Sequence, residues 1–199
     1  MMLTDETPIL DAALPVEALK AHLRLGSGFG SDDVQDVVLT SFLRAAIAAV
    51  EGRTGKILMT RSFSQSITQW RNDEAHVLPA APVTAVAAVK RVLRGGLEME
   101  VDSSEWWLER QTHTPTLRPA GTQLPSVPIG GAVVITFVAG FAADWEGVPS
   151  DLRQAVLMLA AHYYEYRNDT GLSDGCMPFG VSSLIERYKH IRLGAGAAS

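Results

Sequence analysis

The chain has 199 residues, of which 47% are hydrophobic and 20% are charged, and its net charge is −5. This composition is that of an ordinary globular protein and excludes a disordered chain. The negative charge argues against a protein that grips duplex DNA, no apolar run is long enough to span a membrane, and the single Cys176 excludes an internal disulfide.

The N-terminal part of the sequence predicts an arm and two helices. Residues 1–14 are acidic near their start and have no periodicity, so we expect an arm there. A short helix is predicted over 15–25, and the glycines of 26–30 interrupt the chain. No strand precedes those glycines and no Gly-Lys-Ser/Thr follows them, which favours a flexible connection over a phosphate loop.

The second predicted helix begins at the cap Ser31 and ends at Gly55. A polar stripe runs along it from Asp33 to Glu51, and Ile47 lies within that stripe. We therefore expect Ile47 to be exposed. It is either an isolated surface residue or a contact between subunits.

Strand patterns occupy residues 57–140. Apolar and hydroxylated residues alternate over 63–68, and a hairpin is predicted from the valines of 83–93 and the alternating residues of 97–101. Two short strands follow, over 105–110 and 116–118. Residues 132–138 are apolar without alternation, which predicts a central strand covered on both faces.

The last part of the chain predicts two helices. The first spans 148–168, has Pro149 and Asp151 at its start, and is apolar most of the way round, as a central core helix would be. An amphipathic helix is predicted over 181–192, followed by a flexible tail at 194–199.

These elements together predict an α+β fold. A helical bundle body of about four helices, residues 15–56 and 148–193, carries an antiparallel β module, residues 57–140. The module is inserted between the second helix and the central helix.

No catalytic constellation stands out. His162 and Glu165 share a helix face, but no second metal-binding motif accompanies them, and Cys176 has no cysteine or histidine at ligand spacing. We therefore predict no enzyme activity, no metal and no cofactor. The alternative is a small metal or thiol enzyme built on His162 and Cys176.

Exposed apolar side chains are candidates for a subunit interface. Trp106 and Trp107 point to opposite faces if they lie on a strand, so one can be buried while the other is exposed. The candidates for this interface are Ile47, Trp106, Trp107 and Met158.

Short motifs with recognisable order and spacing lie along nearly the whole chain. They are LKAHLRL at 19–25, the Asp pair at 32–33, VEGRTG at 50–55, LPAAPV at 78–83, VAGF at 138–141, VPSDLRQA at 148–155, YEYRN at 164–168 and PFGVSSL at 178–184. Together these motifs resemble the head–tail connector (adaptor) family of long-tailed phages and gene transfer agents. The stretch before Pro15 departs from the family pattern.

The resemblance implies a structural virion protein without catalysis. Such adaptors form a ring, usually of twelve copies, beneath the portal. They extend the channel for double-stranded DNA, which passes without tight binding, and they support the stopper or tail-completion protein. The implied location is the head–tail junction of a particle assembled in the bacterial cytoplasm. Another virion completion protein, a stopper or tail-completion protein, is the alternative, although stoppers are mostly β.

The family's C-terminal segment reaches into the portal. In this chain it corresponds to the last helix and the tail, so the resemblance implies candidate portal-binding residues there: Leu184, Tyr188, Ile191, Arg192 and Leu193. The apolar stripe of that helix could instead pack back on the body.

Overall fold

The computed structural model describes residues 2–25, 33–167 and 177–189. Within them the chain forms four α-helices and antiparallel sheets, so the predicted α+β class is confirmed. The helices are α1 (Val16–His22), α2 (Asp33–Thr54), α3 (Ser150–Glu165) and α4 (Phe179–Ile185). The strands are β1 (Met2–Asp5), β2 (Arg61–Ile67), β3 (His76–Val77), β4 (Val83–Val92), β5 (Glu98–Glu100), β6 (Trp106–Glu109), β7 (Thr116–Pro119) and β8 (Ala132–Ala139).

Helix α2 ends where the sequence predicts. Gly55 follows it at φ +66°, a left-handed conformation that glycine adopts without strain. The Gly55 amide donates to the Glu51 carbonyl at 2.8 Å, and the Thr54 hydroxyl donates to the Val50 carbonyl at 2.8 Å. The last turn is therefore closed before the chain enters the sheet.

Helix α3 is the central helix of the body. It packs against α1, α2 and α4, and together they form a core that we call the helical core. The buried side chains of α3 are Leu152, Ala155, Val156, Leu159, Ala160 and Ala161. Neighbours on several sides explain why the sequence of α3 is apolar most of the way round.

Two antiparallel sheets share a second core, here called the sheet core. One sheet has five strands in the order β1-β2-β8-β4-β5, and the other has three in the order β3-β7-β6. The sheet core contains Phe63, Val89, Ile135 and Phe137 from the first sheet and Leu117 from the second. The rings of Phe63 and Phe137 stack with their centroids 5.7 Å apart.

Strand β8 lies at the centre of the five-stranded sheet, but the expectation that both of its faces are covered is wrong. Val133, Ile135 and Phe137 are completely buried, whereas the residues that alternate with them are only half-buried. The three-stranded sheet shares the core that contains these three buried side chains. On the other face, β8 runs beside the half-buried Ser62, Ser64 and Ser66 of β2.

The N-terminal arm is not a separate extension. Its first part, β1, forms the edge of the five-stranded sheet and pairs with β2 from Met2 opposite Ser66 to Asp5 opposite Phe63. A 3-10 turn follows at Asp11–Ala13, and Leu14 is buried in the helical core. A strand of four residues is too short for its periodicity to be recognised in the sequence.

The last helix is shorter than predicted. After α4 the chain forms a 3-10 turn at Glu186–Tyr188, and Lys189 is extended. A 3-10 turn repeats every three residues, so Tyr188 follows Ile185 onto the same buried side. Residues 190–192 of the predicted helix lie outside the described residues, as do Ser31 and the tail at 194–199. No helix in the part of the chain that the structure describes is long and apolar enough to cross a membrane.

Candidate functional site and assembly surfaces

Ile47 is buried, contrary to the sequence-based expectation. It is 3% exposed and belongs to the helical core. The N-terminal arm crosses α2 close to Ile47. Arg44 of α2 donates to the arm from Nε to Asp11 Oδ1 at 3.2 Å and from Nη2 to the Ile9 carbonyl at 2.8 Å. The polar stripe of α2 is therefore partly covered by this chain itself, and Ile47 lacks the exposed side chain that the sequence predicted.

Arg61 of β2 forms ion pairs with Glu51 of α2 and with Asp5 of the N-terminal arm, and these pairs connect the three elements. Arg61 Nη2 lies 2.6 Å from Glu51 Oε2, and Arg61 Nε lies 2.7 Å from Asp5 Oδ2. Glu51 Oε1 also accepts the Leu58 amide at 2.9 Å. Burial opposes the charge on Arg61, but its bonds to Glu51 and Asp5 outweigh that effect and raise its pKa.

The two tryptophans lie on opposite faces of β6, as predicted. Trp106 packs against the sheet core, whereas Trp107 is 49% exposed. Met158 is half-buried in the helical core, and a Cβ placed on Gly180 of α4 would lie 2.8 Å from its terminal methyl. Of these three interface candidates, only Trp107 presents a large exposed surface.

The two described portal-binding candidates pack on the body. Leu184 is half-buried against the helical core, and Tyr188 is 8% exposed. The Tyr188 hydroxyl donates to Asp151 Oδ1 at 2.8 Å, and Arg187 Nη2 lies 2.8 Å from Asp151 Oδ2. Tyr188 thus packs on the body of its own chain, which is the alternative that the sequence left open, and its contact with the portal stays a prediction. The other candidates, Ile191, Arg192 and Leu193, lie outside the described residues.

Two of the described histidines, His76 and His162, have aromatic or amide neighbours. The ring of His162 lies 4.7 Å from that of Tyr166, and His76 Nε2 lies 3.0 Å from Gln65 Oε1. Burial, assisted by the charge of Arg71, lowers the pKa of His76 to about 4. Among the described residues no three His, Cys, Asp or Glu side chains gather to hold a metal, and Cys176 lies outside them.

Comparison with known proteins connects this geometry to one kind of particle. The chain is 46% identical to a chain from a structure of the neck of an empty gene transfer agent particle computed with C6 symmetry; the match covers 98% of this chain and 99% of that one, with a TM-score of 0.90. The chain belongs to the head–tail connector (adaptor) family of long-tailed phages and gene transfer agents.

Two further matches agree with this family. In a virion of a native gene transfer agent particle, the matched chain is 45% identical with a TM-score of 0.87, and the match covers 98% of this chain and 99% of that one. In the neck of a native particle computed with C12 symmetry, the matched chain is 43% identical with a TM-score of 0.84, and the match covers 98% of this chain and 99% of that one. No protein-family model and no curated protein matches the chain.

One exposed surface of this connector-family chain is the turn between β4 and β5, together with the loop before β8. We call it the hairpin tip. Its apolar side chains are Leu93, Leu97, Met99 and Ile129, and Arg94 is its cation. The sequence predicted this hairpin but did not single out its apolar residues. Their available signal was the alternation of Leu97 and Met99 with glutamates on a short strand.

A second surface of the connector-family chain is a groove beneath the N-terminal arm. We call it the arm groove. It has a volume of about 490 Å³ and is lined by Glu6, Thr7, Pro8, Ile9, Leu10, Ala13, Met59, Thr60, Arg61 and Ala143. The groove exists only because the arm docks on the sheet and on α2, so no sequence pattern indicated it.

Proposed function

We propose that this chain is the adaptor that forms a ring under the portal, extends the DNA channel and supports the stopper and the tail. The observation that carries the proposal is the 46% identity to a chain of a gene transfer agent neck over 98% of this chain. The coarser role is a structural virion protein of the head–tail junction. The position within the neck, and assembly in the bacterial cytoplasm, belong to the proposal.

The matched neck structures support a ring. They were computed with C6 and C12 symmetry, and a chain repeated about such an axis forms a closed ring through head-to-tail contacts. We propose twelve copies. Contacts of this kind need two different surfaces on each subunit, and the hairpin tip and the arm groove are two such surfaces.

The charge of the chain suits a channel through which DNA moves. Tight DNA binding comes from Lys and Arg side chains that neutralise phosphates and release counterions. The chain has 17 Lys and Arg against 22 Asp and Glu, so its net charge is −5. A ring with this balance would guide double-stranded DNA without holding it.

The portal contact is proposed for the C-terminal segment that follows Tyr188. Ile191 and Leu193 are apolar, Arg192 is basic, and 194–199 are glycine, alanine and serine. An apolar and basic segment suits a cleft with acidic walls on a portal ring. Tyr188 and Arg187 bind Asp151, so the body is fastened before this segment begins.

Deletion of residues 191–199 tests the portal contact. We expect the shortened protein to keep its circular dichroism spectrum and its melting temperature, because Tyr188 and its partner Asp151 remain. The same deletion should abolish docking to portal-bearing heads and give DNA-filled particles without tails. The matched control removes only 194–199, which keeps Ile191, Arg192 and Leu193, and should retain most docking.

The results separate the portal contact from the wider role. Normal tail attachment by the 191–199 deletion would show that the portal contact lies elsewhere. A strain lacking the whole protein that still produces tailed particles would contradict the adaptor role itself. Electron microscopy of purified particles, with counts of tailed and tailless heads, gives both readouts.

We also propose that the chain has no catalytic activity and uses no metal or cofactor. The ring of His162 lies 6.4 Å from that of Tyr163 and 4.7 Å from that of Tyr166, an arrangement that packing alone explains. Elemental analysis of the purified full-length protein should find no stoichiometric zinc or iron. Stoichiometric metal that is lost in His162→Ala would contradict this proposal.

A further inference from the structure

The hairpin tip exposes more apolar surface than the fold of the subunit requires. Ile129 is 100% exposed, Leu97 62% and Met99 50%. Isolated exposed apolar residues are common, but several at one end of a sheet mark a surface that another molecule covers. The tip also carries Arg94, for which the described residues provide no carboxylate partner.

The backbone of the tip is held in a defined shape. Gly96 and Gly130 have φ angles of +83° and +69°, the left-handed region that favours glycine. A Cβ on Gly130 would lie 3.3 Å from Arg94 Cδ, and one on Gly131 would lie 2.2 Å from the Val92 carbonyl oxygen. The two turns therefore touch, and little ordering would be needed when the tip binds.

The arm groove has the complementary character. Leu10 on its wall is 73% exposed, and the exposed Pro8 and the half-buried Ile9 add further apolar surface. Glu6 lies at the same groove, and its carboxylate is hydrogen-bonded to the Ser64 hydroxyl but forms no ion pair with any described residue. An apolar surface beside an unpaired carboxylate matches an apolar surface beside an unpaired guanidinium.

The tip and the groove lie at diagonally opposite corners of the five-stranded sheet. The groove borders β1 and the start of β2, where Arg61 pairs with Ala139 at the end of β8. The tip borders β5 and the end of β4, and Val92 at the end of β4 pairs with Ala132 at the start of β8. Five strands set these edges about 20 Å apart. The two surfaces therefore cannot meet within one chain.

We infer that the hairpin tip of each subunit inserts into the arm groove of its neighbour in the ring, with Arg94 of one copy facing Glu6 of the next. The occupant of the groove is thus a second copy of this chain. This inference rests on the ring proposed above. A contact between two different corners of the subunit is heterologous, the kind that closes a cyclic ring.

Charge reversal tests the direct contact between Arg94 and Glu6. We expect Arg94→Glu and Glu6→Arg each to reduce the amount of the chain in purified necks by roughly tenfold or more, because each single change places like charges together. The double variant restores the pair in reversed order and should recover most of the wild-type amount. Circular dichroism of each purified variant checks that the subunit still folds.

Cysteine cross-linking in assembled particles gives a second readout. In a Cys176→Ser background, Leu97→Cys and Leu10→Cys are combined and treated with a short bismaleimide. We expect a ladder of bands at multiples of the subunit mass of 21.4 kDa. Either cysteine alone should give no ladder. Trp107→Cys with Leu10→Cys is the matched control, because Trp107 is 49% exposed but lies on the other sheet.

The outcomes separate this inference from the proposed function. Normal incorporation of both single charge variants, or intact necks without a cross-linked ladder, would overturn the tip-and-groove contact and leave the ring standing. A cross-linked band of another mass would show that a different protein occupies the groove, which would also overturn the inference. Particles whose necks lack the wild-type chain would overturn the proposed function instead.

Discussion

The helical core and the sheet core differ in how they treat polar groups. The helical core consists of apolar side chains together with the mostly buried Trp145 and Tyr188. The buried polar side chains of the described residues lie instead at the end of α2, just after it, or in the sheets. They are Glu51, Thr54, Lys56, Gln65 and Thr116.

This difference follows from the backbone. A helix satisfies its own amides and carbonyls, so helices can pack through apolar faces alone. Where strands end and loops begin, backbone groups need other partners. Lys56, which is 1% exposed, donates to the Thr112 carbonyl at 2.5 Å, and Glu51 accepts the Leu58 amide at 2.9 Å. Lys56 and Glu51 therefore satisfy backbone groups of the β module.

The largest expected effect is on the helical core. Leu152 on α3 is completely buried, so Leu152→Ala leaves a cavity among apolar side chains and should lower the free energy of unfolding by about 3 kcal/mol. Urea unfolding of the full-length protein measures it. Leu157→Ala, on the same helix but half-buried, should lose clearly less. Equal losses would show that the apolar packing of this core is not the source of its stability.

A smaller effect is expected where the two cores join. Glu51→Gln removes the charge opposite Arg61, whose side chain is 10% exposed, while Asp5 remains as a partner. We expect a loss of about 2 kcal/mol in the free energy of unfolding. Asp11→Asn is the matched control, because it weakens the exposed pair with Arg44 and should lose less than about 0.5 kcal/mol. Similar losses would show that burial does not distinguish the two pairs.

The smallest expected effect is a pH dependence from the sheet core. His76 has a pKa of about 4 in the folded protein, lowered from 6.5 by burial and by Arg71. Between these two pH values, His76 is mostly protonated in the unfolded chain but mostly neutral in the folded chain. The stability from neutral His76 is therefore present above pH 6.5 and is lost as the pH falls towards 4. After allowance for solvent screening, we expect a loss of about 1 kcal/mol.

Denaturant unfolding at pH 7.5 and pH 5 measures this dependence. His76→Gln cannot titrate, yet its amide can still donate to Gln65 Oε1, so this variant should lose less stability than the wild type between the two pH values. An unchanged pH dependence in the variant would assign the effect to other groups.

The sequence predicted the elements whose formation depends on residues close together in the chain. Gly55 ends α2, the alternation around Phe63 forms β2, and the apolar run after Pro149 forms α3. Ile47 was misjudged because its cover comes from distant residues, as the bond from Arg44 to Asp11 across 33 positions illustrates. Periodicity indicates which side of a helix is apolar. It does not indicate that another segment of the chain will cross the polar side.

The candidate surfaces were harder to predict for a related reason. The pair of tryptophans indicated one exposed ring but did not identify it as Trp107. The stripe containing Tyr188 was correctly identified as apolar, yet an apolar stripe looks the same whether it packs on its own chain or on a partner. The burial of Tyr188, its bond to Asp151 and its contact with the Phe141 ring show that it packs on its own chain.

The helical core combines helices that precede strands β2 to β8 with helices that follow them, and this has a consequence for synthesis on the ribosome. Leu39 and Leu43 of α2 pack with Leu152 and Leu159 of α3, which are made about 100 residues later. At translation rates of about 5–20 residues per second, α3 is made roughly 5–20 s after α2, so the apolar face of α2 lacks this partner during that time. Strands β2 to β8 are made within that interval, whereas β1 is made before α2. The helical core is therefore complete only after α3 and α4 have been translated.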